Sequence, residues 1–204
     1  MKILPVAACA ASMWLIVAPA ASQVPGTASD DVPEAVAERV RRAAEGSDAL
    51  RLKLADLRTV FVTVDLIRRK GEGGRELAPI YRVQHYRYAD DTTIVSLVDL
   101  DSGRVREVEE LRHAPVALGA AELAEARALA LADERVSRAT SRFREQLVVE
   151  PLVVRTSDPA DPWFGRRVVR LLFRVGRDYL SEPVVFVDLT NREVIIERAH
   201  GNRQ

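Results

Sequence analysis

The chain has 204 residues, and its 30 basic and 30 acidic side chains cancel to a net charge of zero. With 48% hydrophobic residues it holds enough apolar material for one domain or two small ones, and no basic block marks it for nucleic acid. The one cysteine, Cys9, excludes an internal disulfide.

The N-terminus reads as an export signal. Met1-Lys2 supplies the positive start, Ile3–Val17 is apolar and uncharged, and Ala18-Pro-Ala20 and Ala20-Ala-Ser22 offer small residues for cleavage. A signal peptide is therefore expected over 1–22, with an uncleaved membrane anchor as the alternative, since the run has about the ~20 residues a spanning helix needs. Cleavage removes Cys9 and with it any thiol nucleophile or thiol metal ligand. The expected location is periplasmic or secreted, with no membrane attachment once the signal is gone. Lysine occurs only as Lys2, Lys53 and Lys70, so 27 of the 30 cations are arginine. This reads as the codon bias of a GC-rich genome, and the arginines scattered among acids read as a solvated face.

Residues 23–30 form a leader. Asp30 or Asp31 is expected to cap a helix in which Val32, Val36, Val40 and Ala43 recur at helical spacing, with Gly46 at its end. Residues 49–56 are ambiguous between loop and a further helical turn. Strands are expected at 57–68, 80–88, 92–100 and 104–111, with a glycine-rich loop at 69–76. After His113-Ala-Pro115, a helix is expected over 120–138 and possible as far as Phe143, its stripe drawn from Leu123, Ala126 or Arg127, Ala130 and Leu131. Strands follow at 147–155, where Pro151 predicts a bulge or a sheet edge, then at 166–175, 183–189 and 194–198.

One stretch occurs twice. Val98-Asp-Leu-Asp-Ser-Gly-Arg-Val105 and Val187-Asp-Leu-Thr-Asn-Arg-Glu-Val194 each read as strand, tight turn and return strand. Asp99 and Asp188 lie 89 residues apart, and the same interval sets the first helix, first strand and following loop onto their later counterparts. The expected fold is α+β: two tandem α-β-β-β-β units, 31–112 and 113–204, each a helix packed on an antiparallel sheet.

A helix followed by a four-strand meander, duplicated behind a signal peptide, resembles the cystatin-like and PepSY-like domains of bacterial envelope proteins. It is also similar to the paired N-terminal domains of copper amine oxidases. His113-Ala-Pro-Val-Ala-Leu-Gly-Ala-Ala-Glu122 with its Ala/Glu-rich continuation resembles the start of the second of these, and Arg170-Leu-Leu-Phe173 and Val187-Asp-Leu-Thr190 also fit. The Thr-x-x-Asn-Tyr-[Asp/Glu] quinone motif and the histidine ligands of the oxidase catalytic domain are not present in the sequence. The resemblance therefore implies a non-catalytic module that mediates contacts or inhibition, although the Gln-x-Val-x-Gly of cystatin-type inhibitors is missing.

The chemistry-bearing residues are few. His85, His113 and His200 make no close pair, so neither a metal nor a cofactor is expected. No Gly-x-Ser-x-Gly is present. Asp90, Asp91 and Asp101 read as turn formers, and Asp99 and Asp188 as caps of their hairpins. The candidate binding residues are Asp161, Pro162, Trp163 and Phe164, at the end of the proline-stiffened loop 156–165, because exposed aromatics are enriched in binding hot spots. In the alternative reading of that loop the two rings fold back onto the core or the seam between the units. The expected function is an exported, non-enzymatic module that contacts an envelope protein or peptide, a protease or an oxidase among them. A small enzyme using His113, His200 and an acid in a cleft between the units is one alternative, and a structural accessory to a separate amine oxidase is another.

Overall fold

The computed structural model of the protein describes residues 32–55, 58–74 and 76–197. The expected signal peptide, the leader, Asp30, Asp31 and His200 lie outside these residues. The fold is α+β with two antiparallel sheets, one of four strands and one of five.

Helix α1 (Glu34–Glu45) starts behind Pro33, whose missing N–H costs nothing there, and ends at Gly46. It buries Val40 and Ala44, four residues apart on one face. A single turn, α2 (Asp48–Arg51), follows and inserts Leu50 into the same core. Strands β1 (Thr59–Ile67), β2 (Ile80–Arg87), β3 (Thr92–Asp99) and β4 (Arg104–Arg112) then form a meander in chain order. Alternation decides which face is covered: Val64, Val83, Ile94 and Val98 point at α1.

The long helix expected after the linker is two helices, α3 (Ala120–Ala132) and α4 (Glu134–Thr140). The break is local chemistry. Asp133 is extended, and its carboxylate accepts the N–H groups of Arg135 at 2.8 Å and Val136 at 3.4 Å, which starts a new helix. The buried stripe of α3 is Glu122, Ala126 and Ala130, while Leu131 is exposed.

The second sheet runs β5 (Leu147–Val154), β6 (Val168–Val175), β8 (Val184–Asp188), β9 (Glu193–Glu197), and the two-residue β7 (Asp178–Tyr179) pairs with the end of β6. The expected four strands are thus five, because Gly176 (φ 61°) turns the chain back on β6. Pro151 sits in edge strand β5 without a bulge, with all eight residues of the strand in register with β6.

Moved on by 89 residues, β1 to β4 would begin at 148, 169, 181 and 193, and β5, β6, β8 and β9 begin at 147, 168, 184 and 193. The two hairpins close alike: Asp99 accepts the N–H groups of Asp101 and Ser102, and Asp188 those of Thr190 and Asn191.

The sheets are separate but their cores meet. Val62, Tyr86 and Tyr88 of the first unit pack in one buried cluster with Val116, with Ala126 and Val136 of the helices, and with Leu171 and Val187 of the second sheet. A bulge between Phe61 and Thr63 makes this geometry. It changes the parity of β1, so Val62 turns away from α1 toward the second unit.

Candidate functional site

At the seam between the units lies a charged pair with almost no access to water. Arg167, at the entrance to β6, is 0% exposed, and Glu122 in the first turn of α3 is 1% exposed. The guanidinium donates two bonds to the carboxylate, each 2.9 Å, in a fork. Its other N–H groups donate to the carbonyls of Val116 at 2.9 Å and Ala117 at 2.5 Å, and its plane lies 4.5 Å above the Tyr86 ring. Glu122 also accepts the Tyr88 hydroxyl at 2.7 Å and the Gly119 N–H at 2.8 Å, the latter closing the first turn of its own helix. Burial works against the Arg167 charge, yet the bonds to Glu122 outweigh it and hold the pKa above the ordinary value. The reading of the scattered arginines as a solvated face does not extend to Arg167.

A second acid stands beside the first pair. Asp91 follows β2 in the left-handed region (φ 48°, ψ 48°), a conformation that Asp tolerates better than most residues. It is more than a turn former, being 3% exposed at the centre of three partners. Tyr86 donates to it at 2.6 Å, Arg155 reaches both oxygens at 3.1 Å, and His113 Nδ1 lies 3.0 Å away. Burial and the neighbouring carboxylates push the Tyr86 and Tyr88 phenols far above their usual range, so both stay protonated donors. His113 itself has positive φ (53°) and returns its backbone N–H to the Asp91 carbonyl at 2.8 Å.

The loop 156–165 divides its aromatics. Asp161 accepts the Trp163 N–H at 2.8 Å, and turns closed by Phe164 and Arg166 bring the chain sharply round Pro162, which is exposed. The Phe164 ring stacks on His113 at 4.6 Å, against the seam, whereas the Trp163 ring leans on Phe186 of β8 at 4.8 Å. Both rings are half-buried. His113, which the alternative enzyme reading would use with His200 and an acid, is thus placed between Asp91 and Phe164, and no serine or threonine hydroxyl among the described residues bonds to it.

Trp163 belongs to a larger surface. The inner face of the second sheet, Val169, Leu171, Phe173, Val185 and Val187, lies in the core shared with α3 and α4. The outer face carries Val148 and Leu152 of β5, Arg170 and Leu172 of β6, and Phe186 of β8; Leu152 is 52% exposed, whereas Phe186 is buried. Arg174 is held by Glu150 at 2.7 Å, and the same acid takes the Tyr179 hydroxyl at 2.6 Å. Arg170 lies over the Phe186 ring at 6.0 Å and has no acidic partner among the described residues. The sequence reading stopped at the loop and missed this sheet face.

Among the described residues no group of three or more His, Cys, Asp or Glu converges to hold a metal ion, and no helix is long and apolar enough to cross a membrane. No protein-family model matches the chain, and no curated protein matches it.

Proposed function

We propose that the chain is an exported binding module of two duplicated, cystatin-like α+β units, and that the outer face of the second sheet docks a protein partner. The observation that carries this reading is the composition of that face. An unpaired arginine, Arg170, stands among the exposed Leu152, the half-buried Leu172 and the half-buried Trp163, which rests on the buried Phe186, the mixture of cation and aromatic that dominates interface energetics. Of the binding residues proposed from the sequence, Asp161 to Phe164, Trp163 forms the aromatic edge of this face, while Phe164 turns to His113 at the seam. Face docking is favoured over strand addition because Pro151 removes a donor from edge strand β5, and a proline-bearing edge resists extension by another strand. The partner's matching surface is apolar and carries a carboxylate for Arg170. The shared interval of 89 residues supports the duplication, and the N-terminal apolar stretch supports export.

Affinity capture from a periplasmic extract tests this, using the whole protein, Arg170→Glu, Trp163→Ala, and Arg104→Glu on the first sheet as control. The reading predicts a partner retained by the protein and the control, and lost with either change on the second sheet. Arg170→Glu should leave stability within about 0.5 kcal/mol, as for an exposed site. A partner that survives charge reversal at Arg170 would refute the docking face.

A further inference from the structure

We propose that the partner of the second sheet's outer face is a second copy of this chain, which presents the outer face of its first sheet. This rests on the docking role assigned to the second sheet, and it names the occupant. That role asks for an apolar surface bearing a carboxylate, and the first sheet carries one on the side away from α1.

Strand parity builds this surface. With Val64, Val83, Ile94 and Val98 turned to α1, the alternate positions face outward. Register sets them in two rows across the four strands: Asp65, Arg82, Leu97 and Glu107 in one, Thr63, Gln84, Val95 and Glu109 in the next. Val95, Leu97 and, further along β4, Leu111 are half-buried, whereas Glu107 and Glu109 are exposed. These five residues line one shallow depression of about 310 Å³ together with Arg82. The neighbouring cations are engaged elsewhere. Arg82 holds Asp65 at 3.0 Å, Arg106 holds Asp99, and Lys53 and Arg87 hold Glu110 on the opposite face. Glu107 and Glu109 therefore have no cationic partner among the described residues, and Arg104 stands apart at the hairpin end, opposite Asp99.

The two faces complement each other. One offers an exposed, unpaired arginine beside Leu152 and Leu172, the other two exposed, unpaired glutamates beside Val95 and Leu97. Closing them places the ion pair inside a rim of apolar contact, where charge-assisted bonds are strongest. The second sheet's own acids set the orientation. Glu193 and Glu197 of β9 share the outer face with Arg170, on the far side of Phe186, and they repel Glu107 and Glu109. The strands β5 and β6, not β9, therefore cover β3 and β4. Within one molecule these faces do not meet, because the second sheet turns its inner face to the core shared with the first unit. The contact is thus head-to-tail between molecules, a geometry that builds rings or chains.

Sedimentation velocity on the whole protein, from about 10 μM to about 1 mM, reads this association. The protein is expected to assemble as its concentration rises. Arg170→Glu, and separately Glu107→Arg combined with Glu109→Arg, should each weaken assembly about a hundredfold, since each sets like charges face to face. All three positions are exposed, so the fold is kept. An equimolar mixture of the two variants should associate again, because each supplies the face that the other has lost. A monomer throughout the range, assembly untouched by the glutamate reversals, or a mixture that stays apart would overturn self-docking. Capture from the periplasmic extract separates the two failures. A partner lost with Arg170→Glu but kept with the reversed glutamates leaves the docking face in place with a different occupant, whereas capture and assembly indifferent to Arg170→Glu remove both.

Discussion

At the residue scale, two side chains carry most of the chemistry that packing alone does not explain. Glu122 and Arg167 form a dry ion pair, and removing one partner strands the other without water. Glu122→Ala is expected to cost about 3–5 kcal/mol in urea denaturation, whereas Glu122→Leu combined with Arg167→Met should recover much of that loss. His85 makes a pH prediction. Burial lowers its folded pKa below the ordinary 6.5, opposed by the bond to Glu45, while Arg41 adds a small push in the same direction as burial. Below pH 6.5 the unfolded chain therefore binds a proton that the folded chain refuses, so stability is full above that pH and declines on acidification. Urea midpoints at about pH 7.5 and 5.5 should show this decline in the protein and a shallower one in His85→Gln. The buried pair was partly readable beforehand. Arg167 shares strand parity with Val169, Leu171 and Phe173, and Glu122 lies one and two turns from Ala126 and Ala130, so each puts a charge on a face that is otherwise apolar. Their pairing was not readable, because it depends on how two units approach each other.

At the scale of elements, close approach at one glycine fixes where the second unit starts. A Cβ on Gly119 would lie 2.5 Å from the Phe61 carbonyl and 3.2 Å from the Val62 Cα, at the β1 bulge. Its backbone angles suit any residue (φ −72°, ψ 161°), so the constraint is space alone. Gly119→Ala is expected to destabilise by about 1–3 kcal/mol, measured by thermal unfolding, because backbone on both sides must shift. Strands were the most readable elements, and alternation along Val169–Val175 states which side is buried, whereas along Val60–Leu66 it assigns Val62 and Val64 to one side when they enter different cores. The bulge was hidden because inserting a residue leaves the composition of the strand intact while changing its parity. The break between α3 and α4 escaped notice because Asp133 sits in a run of good helix formers, and only its capping bonds reveal that it starts a helix.

At the scale of the molecule, the seam decides whether two units act as one. The buried cluster crosses from Tyr86 and Val62 into the second sheet, Arg58 donates to the carbonyls of Leu189 and Thr190, and Arg155 reaches Asp91 across the seam. The α+β class was visible in the alternation of helix and strand patterns. The interior that the two sheets share was not, because a pattern read along each sheet says nothing about their contact. A rigid seam matters for the proposed function, since it anchors the loop 156–165 through Phe164 on His113 and so holds Trp163 at the docking face. Native-state hydrogen exchange puts this to the most direct test, comparing amides of Val83 and Ile94 in the first sheet with those of Leu171 and Val185 in the second. The account predicts one common opening free energy for both sets, lowered together by Glu122→Ala. A first sheet that opens at lower cost than the second, or a second sheet that alone responds to the substitution, would contradict it.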